Sequence, residues 1–277
     1  MKSNSSGLKF MHADSSPPIF LGGAYRSGLT LLRAILDSHP EIACPPDLAI
    51  VPTIAVQWEQ ANRVLGENLA HNYATDRNAL RAAFAGPVLE ILQRAARTAG
   101  KRLIADKTPV NALAFPLLRR LFPESPLVHV LRDGRDVTAS LLAQGWRDPR
   151  TGNLLPMCAS VSGAGRHWKS SIMQAGAAGR LGGGFFIVRF EDLVTDPETA
   201  LTPLLEALGL GFEEPMLRFY EHERAYIELE ECSLPQLLGP LDRSRVGRWR
   251  QDFDDVQRLE FEQEFAPVLV ECGYSRN

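Results

Sequence analysis

Residues 18–40 read PIFLGGAYRSGLTLLRAILDSHP. The apolar run Pro18–Leu21 meets two glycines and a short polar loop. Leu31, Leu32, Ile35 and Leu36 then follow at helical spacing until His39-Pro40. The pattern predicts a strand, a tight glycine loop and a helix. Such a junction gathers backbone N–H groups around one anion at the positive end of the helix. Counted from Gly23 the loop is G-x-x-x-x-G-L-T, with the two glycines and the hydroxyl of a nucleotide-binding P-loop. Leu29 stands where the phosphate-gripping lysine would be. Arg26 can supply the missing charge from within the loop, and Thr30 can donate to a phosphate oxygen. By itself the stretch is equally readable as an ordinary glycine turn.

The same alternation continues along the chain. Further strands are expected at Arg102–Ala105, Pro126–Leu131 and Gly184–Arg189, with helices at Thr30–Asp37, Val110–Leu121 and Asp136–Ala143. Asp196-Pro197-Glu198 has the order of a cap, a first-turn proline and an early acid. Nearly continuous apolar strands separated by helices imply a three-layer α/β fold around a mainly parallel sheet. Ligands of such folds sit beyond the carboxyl ends of the strands. Residues 48–99 read as a mostly helical insertion carrying Trp58, Tyr73 and Phe84, placed to wall a substrate cleft. Residues 1–17, rich in serine, read as a flexible tail before a single domain at 18–277.

Composition narrows the class. With 277 residues, 45% apolar, the chain can bury a large core without disulfides or structural metal. A net charge of -3 argues against a general nucleic-acid binder. Cys44, Cys158, Cys232 and Cys272 form no C-x-x-C pair, so no zinc site is expected and a reducing cytoplasm is the expected location. No continuous apolar segment opens the chain, so neither a signal peptide nor a membrane anchor is expected.

Two later segments also suit anions. In LVHVLRDGRDVTASLL (127–142) a strand ends in Arg132, turns at Gly134 and continues into a helix bearing Ser140. A guanidinium with a nearby hydroxyl suits a second phosphate; mutual neutralisation of Arg132, Asp133, Arg135 and Asp136 is the plainer alternative. LDRSRVGRWRQDF (241–253) packs four basic residues into thirteen, around Gly247 and Trp249. It is either an anion clamp or a solvated loop pinned by its tryptophan.

Taken in order, YRSGLTLLRAILDSHPEIACPPD, ADKTP (105–109), LRDGRDVTASLL, VRFEDLVTDPE (188–198) and VGRWR (246–250) resemble the PAPS-dependent sulfotransferases, which use 3'-phosphoadenosine 5'-phosphosulfate. The branch is the one that includes protein-tyrosine sulfotransferases and many bacterial enzymes, and the resemblance runs from about residue 18 to 255. It implies sulfuryl transfer to an acceptor, leaving adenosine 3',5'-bisphosphate (PAP), with no metal. It implies donor contacts from Arg26, Ser27, Gly28, Leu29, Thr30 and Leu31 in the 5'-phosphosulfate loop. Arg132 and Ser140 would hold the 3'-phosphate, with Gly247, Arg248 and Trp249 closing over the nucleotide. The family loop commonly reads R-S-G-T-T, so Leu29 forgoes one hydroxyl.

Arg26 and Lys107 are the expected stabilisers of charge during transfer. Asp47, where the family usually has glutamate, is the expected base. It is equally readable as a helix cap, and His39 and Glu41 are rival bases. His129 reads as a core histidine, His167-Trp168 as helix packing, and Glu191 and Asp192 as organisers of a loop. Trp249 could stack on adenine or simply anchor its loop. Asp106 after an apolar run could mimic a magnesium-binding aspartate, which keeps a divergent P-loop kinase using ATP–Mg as one alternative. An inactive PAP-binding module is another. The expected acceptor is a hydroxyl on a small molecule such as a natural-product intermediate, a lipid or a phenol. Its pocket is expected to come from residues 48–99 and 143–165. Neither nucleic acid nor membrane is an expected partner, and oligomeric state is open.

Overall fold

The computed structural model describes residues 16–65, 68–73, 75–221 and 237–276, so most of the expected N-terminal tail lies outside the described residues. Five parallel strands form one sheet: β1 (Ile19–Gly23), β2 (Ile42–Ala43), β3 (Leu103–Lys107), β4 (Leu127–Leu131) and β5 (Phe185–Arg189). Their order is β2-β3-β1-β4-β5, with Leu21 opposite Lys107 on one side of β1 and Gly23 opposite Val130 on the other. β1 therefore lies where the winding reverses. The crevice beyond its carboxyl end is the ligand position of open α/β sheets.

Twelve α-helices surround the sheet among the described residues. They are α1 (Leu29–Asp37), α2 (Ile50–Leu65), α3 (Asn68–Tyr73), α4 (Arg77–Thr98), α5 (Asn111–Leu121), α6 (Gly134–Leu142), α7 (Pro156–Ala159), α8 (Val161–Gly179), α9 (Phe190–Thr195), α10 (Pro197–Ala207), α11 (Trp249–Asp252) and α12 (Asp255–Glu271). Alternation along the strands divides their side chains between two cores. Ile19, Leu21, Val128 and Val130 pack with α1, α9 and α10, while Phe20 and Leu127 pack with α2, α4, α5 and α8. A third cluster joins α6, α8, α11 and α12 around Trp168, Trp249, Phe261 and Phe265. This is the expected three-layer arrangement.

Three details depart from the sequence reading. The two-residue strand β2 was not expected, because it is too short to show a period. The strand expected at 102–105 instead runs from Leu103 to Lys107, so Lys107 is a buried strand residue rather than part of the following turn. The insertion is helical as expected, yet Trp58 is buried in the core it shares with α5 and Tyr73 is exposed. These two aromatics belong to packing and surface, and the approach to the sheet's carboxyl edge falls to residues 44–48 just before α2.

Candidate active site

The loop after β1 is set by two left-handed residues. Gly28 has φ 101°, and a Cβ there would lie 2.4 Å from the Phe190 ring, so only glycine fits. Arg26 adopts φ 71°, the only described non-glycine residue with positive φ. Strain of this kind persists only where surroundings impose it, and it gathers at functional sites. The imposing groups are visible: Arg132 Nη1 donates to the Arg26 carbonyl at 3.0 Å, and the Arg26 Nε donates to Ser140 Oγ at 3.0 Å. On the other flank, the Tyr25 N–H donates to His167 Nε2 at 3.1 Å.

Beyond Gly28 the first amides of α1 have no acceptor within the helix and point at the crevice. Thr30 is half-buried beside them. Leu29 and Leu31 bury their side chains in the core, so only their backbones can meet a ligand. The Ser27 hydroxyl is sealed beneath the loop without a protein partner.

The strand end of β4 builds a second locus. Arg132 is buried, its guanidinium lying 4.3 Å from the Phe190 ring centre, and its Nη2 donates to the Arg245 carbonyl at 2.6 Å. Asp136 accepts the N–H groups of Gly247 and Trp249, each at 2.8 Å, and pairs with Arg132 at 3.7 Å. Burial pushes the Asp136 carboxyl up, opposed by Arg132. These bonds lay residues 245–249 across α6.

They enclose a cavity of about 120 Å³ lined by Arg26, Arg132, Ser140, Arg245, Arg248 and Asp136, among others. Four guanidiniums face two carboxylates there, Asp136 and Asp252, so the donor set suits a multiply charged phosphate. Arg132 and Ser140, expected at the 3'-phosphate, are thus brought together, and Arg26 bonds Ser140 beside them. Arg245 lay unremarked within the basic segment; only its carbonyl bond to Arg132 distinguishes it.

Trp249 is buried, with the guanidiniums of Arg135 and Arg250 at 4.0 and 4.6 Å from its ring centre. It is placed as an anchor of the clamp, one of its two expected readings. Behind the site, Glu191 accepts the Asp133 N–H at 2.9 Å and the Tyr274 hydroxyl at 3.0 Å, which makes it an organiser.

The third locus lies at the end of β3. Lys107 is ion-paired with Asp47, which the loop Cys44–Leu48 carries over the strand end. Tyr25 adjoins them: burial and the Asp47 charge both raise its hydroxyl. Its ring stacks on His167 at 5.5 Å and meets the edge of Trp146 at 5.6 Å. Tyr25 and Trp146 escaped the sequence reading, because a single aromatic in a loop carries no periodic signal.

The rival bases are placed elsewhere. His39 is buried; its Nδ1 accepts the Glu41 N–H and its Nε2 bonds the Gly211 carbonyl at 3.2 Å. Glu41 pairs with Arg102 at the surface. His129 lies in the core against Ser171, at 3.0 Å. Asp106 is buried, and its oxygens accept Asn111 Nδ2 at 2.7 Å and the Thr108 hydroxyl at 3.4 Å.

The Sulfotransferase family model matches residues 17–214. Protein-tyrosine sulfotransferase 2 of Gallus gallus is 27% identical over 291 residues, covering 98% of this chain and 73% of that protein. Protein-tyrosine sulfotransferase 1 of Homo sapiens is 26% identical over 285 residues, covering 96% and 71%. The sulfotransferase domain from the Synechococcus PCC 7002 olefin synthase shares the fold at TM-score 0.61 and 24% identity, covering 93% of this chain and 98% of that one. The sulfotransferase domain from the curacin biosynthetic pathway does so at TM-score 0.60 and 21% identity, covering 95% and 99%. The family match spans all five strands and both anion-binding turns, so the kinase alternative gives way: the chain belongs to the sulfotransferase family and is an enzyme of sulfuryl transfer.

Proposed function

We propose that the enzyme takes its sulfuryl group from PAPS and delivers it to a hydroxyl of a small molecule. The observation that carries this reading is the arginine-lined cavity beside the glycine loop, one strand away from the Asp47–Lys107 pair. The 3'-phosphate of the donor would enter the cavity, held by Arg132, Ser140, Arg245 and Arg248. Its phosphosulfate would lie on the amides of Gly28, Leu29 and Thr30. Asp47 would take the proton of the acceptor hydroxyl while that oxygen bonds to sulfur. The bond between sulfur and the bridging oxygen breaks, and its electron pair leaves with the 5'-phosphate of PAP. Lys107 and Arg26 would balance charge on the transferring oxygens and the leaving phosphate, the kind of preorganised stabilisation worth about 10²–10³ per donor.

A tyrosine-bearing peptide is the second acceptor class, favoured by the similarity to proteins named protein-tyrosine sulfotransferases. The reducing compartment suggested by scattered cysteines fits the small-molecule reading better. Binding and transfer are tested together. At 100 times its Kd, PAP should raise the melting temperature by roughly 5–10 °C without magnesium, while ATP–Mg²⁺ should not. Labelled PAPS is then offered to alcohols, phenols and an acidic tyrosine peptide. Label on the peptide alone selects the second reading. PAP binding without transfer to any acceptor makes the chain an inactive binder, and no PAP binding removes the proposal.

A further inference from the structure

We infer that Arg33 and Asp37, one turn apart on α1, are positioning residues that hold the root of the loop carrying Asp47, a role that rests on Asp47 as the base. Between them they take both backbone polar groups of Cys44. Arg33 Nη1 donates to the Cys44 carbonyl at 3.3 Å, and the Cys44 N–H donates to Asp37 Oδ1 at 2.8 Å. Lys101 backs the arrangement: its Nζ lies 3.7 Å from Asp37 Oδ1 and donates to the carbonyls of Asp37 and Ile42.

Neither side chain serves the helix that carries it. Arg33 is fully buried, and a guanidinium taken out of water is costly unless it is hydrogen-bonded. Asp37 is the last residue of α1, where a negative charge opposes the helix dipole. The backbone of Cys44 accounts for both. The register of β2 with β3 runs from Ile42–Leu103 to Ala43–Ile104, and Cys44 is the next residue. From there the chain passes through Pro45 and Pro46 to Asp47, which pairs with Lys107. The prolines fix their own φ and keep the residues before them extended, so a displacement at Cys44 reaches Asp47 with little slack. Helix α1 thereby serves both halves of the proposed reaction. Its first amides, after Gly28, would hold the phosphosulfate, while Arg33 and Asp37 set the start of the base's loop. Thr30 and Asp37 are about 10 Å apart along the helix axis, so one rigid element gauges the base against the donor.

The test is a double-mutant cycle on the full chain, with labelled PAPS and the acceptor of the panel above that takes the label fastest. Asp37→Ala should lower kcat about 100-fold, the effect of a displacement near 1 Å, with the KM for PAPS within about twofold of wild type. In an Asp47→Asn background the same change should cost less than about threefold, because its effect runs through Asp47. Asp37→Asn keeps an oxygen for the Cys44 N–H and should restore kcat to within about tenfold. Arg33→Met fills the buried space, removes the other bond and should reproduce the loss, which keeps the test decisive if Asp37→Ala does not fold. Undiminished kcat in both Asp37→Ala and Arg33→Met, or full additivity with Asp47→Asn, overturns the inference. So does a rise in the KM for PAPS as large as the fall in kcat, the mark of a general loosening of α1. Wild-type turnover by Asp47→Asn alone instead overturns the assignment of the base.

Discussion

The two sides of the crevice, proposed for donor and for acceptor, are built differently. On the donor side, three distant chain segments are cross-braced by buried charge. Arg132 reaches both the Arg26 and Arg245 carbonyls, and Asp136 collects two amides of the closing segment. On the acceptor side, the loop at residues 44–48 meets the end of β3 through the Asp47–Lys107 ion pair. Redundant bracing suits an invariant ligand such as a nucleotide. A lightly held loop over a rigid strand is where substrate preference can change without loss of the fold.

The sharpest way to break the contrast is to remove one brace. Asp136→Ala would leave the buried Arg132 without its carboxylate and strand the amides of Gly247 and Trp249. Breaking a buried pair from one side costs about 3–5 kcal/mol, and urea unfolding should show a loss of that size. PAP affinity should fall with it. If the variant unfolds at the wild-type urea midpoint, the donor side is no more tightly built than the acceptor side, and the comparison fails.

A second measurement uses two buried titratable groups that flank β1. Asp106 stands on β3, on the acceptor side, and burial pushes its carboxyl up to about 6. His129 stands on β4, beneath Arg132, and burial pushes its imidazole down to about 4. A raised acid contributes stability below its unfolded value near 3.8 and loses it as pH rises through 6. A lowered base contributes stability above its unfolded value near 6.5 and loses it as pH falls through 4. Each effect is about 3 kcal/mol, and between pH 4 and 6 they run in opposite directions. Wild type should therefore show a shallow dependence over that range. Asp106→Asn leaves His129 alone, so its stability should fall steeply on acidification. His129→Gln should show the reverse slope. Parallel curves for all three proteins would remove both burial assignments.

The same asymmetry governs what could be read in the sequence. The donor side was legible because its residues sit at fixed offsets within strand–turn–helix units: Arg26 to Thr30 in one, Arg132 to Ser140 in the other. Hydrophobic period located the strands, and the strand ends located the arginines. Asp47 and Lys107 were legible as a resemblance, yet nothing in their spacing showed that they pair, since sixty residues and three helices separate them. Trp249 stayed open in the sequence between stacking on adenine and anchoring its loop, because the neighbour that stacks on it, Arg135, comes from a different helix.

His167 marks where the two sides meet, and its removal should have the smallest effect. It read as helix packing, and α8 does pack there through Trp168, but His167 itself is turned to the glycine loop. Burial lowers its pKa, so the ring is neutral near pH 7 and Nε2 can accept the Tyr25 N–H. That bond fixes the residue before Arg26 without adding charge to the anion site. His167→Ala forfeits one neutral hydrogen bond, about 1 kcal/mol, and should raise the KM for PAPS about fivefold with kcat little changed. His167→Gln can place an amide oxygen near the lost nitrogen and should recover most of that affinity. A purely packing role would give a different pattern: both variants would lower the melting temperature alike and leave KM alone, which would move His167 out of the loop's support and into the core.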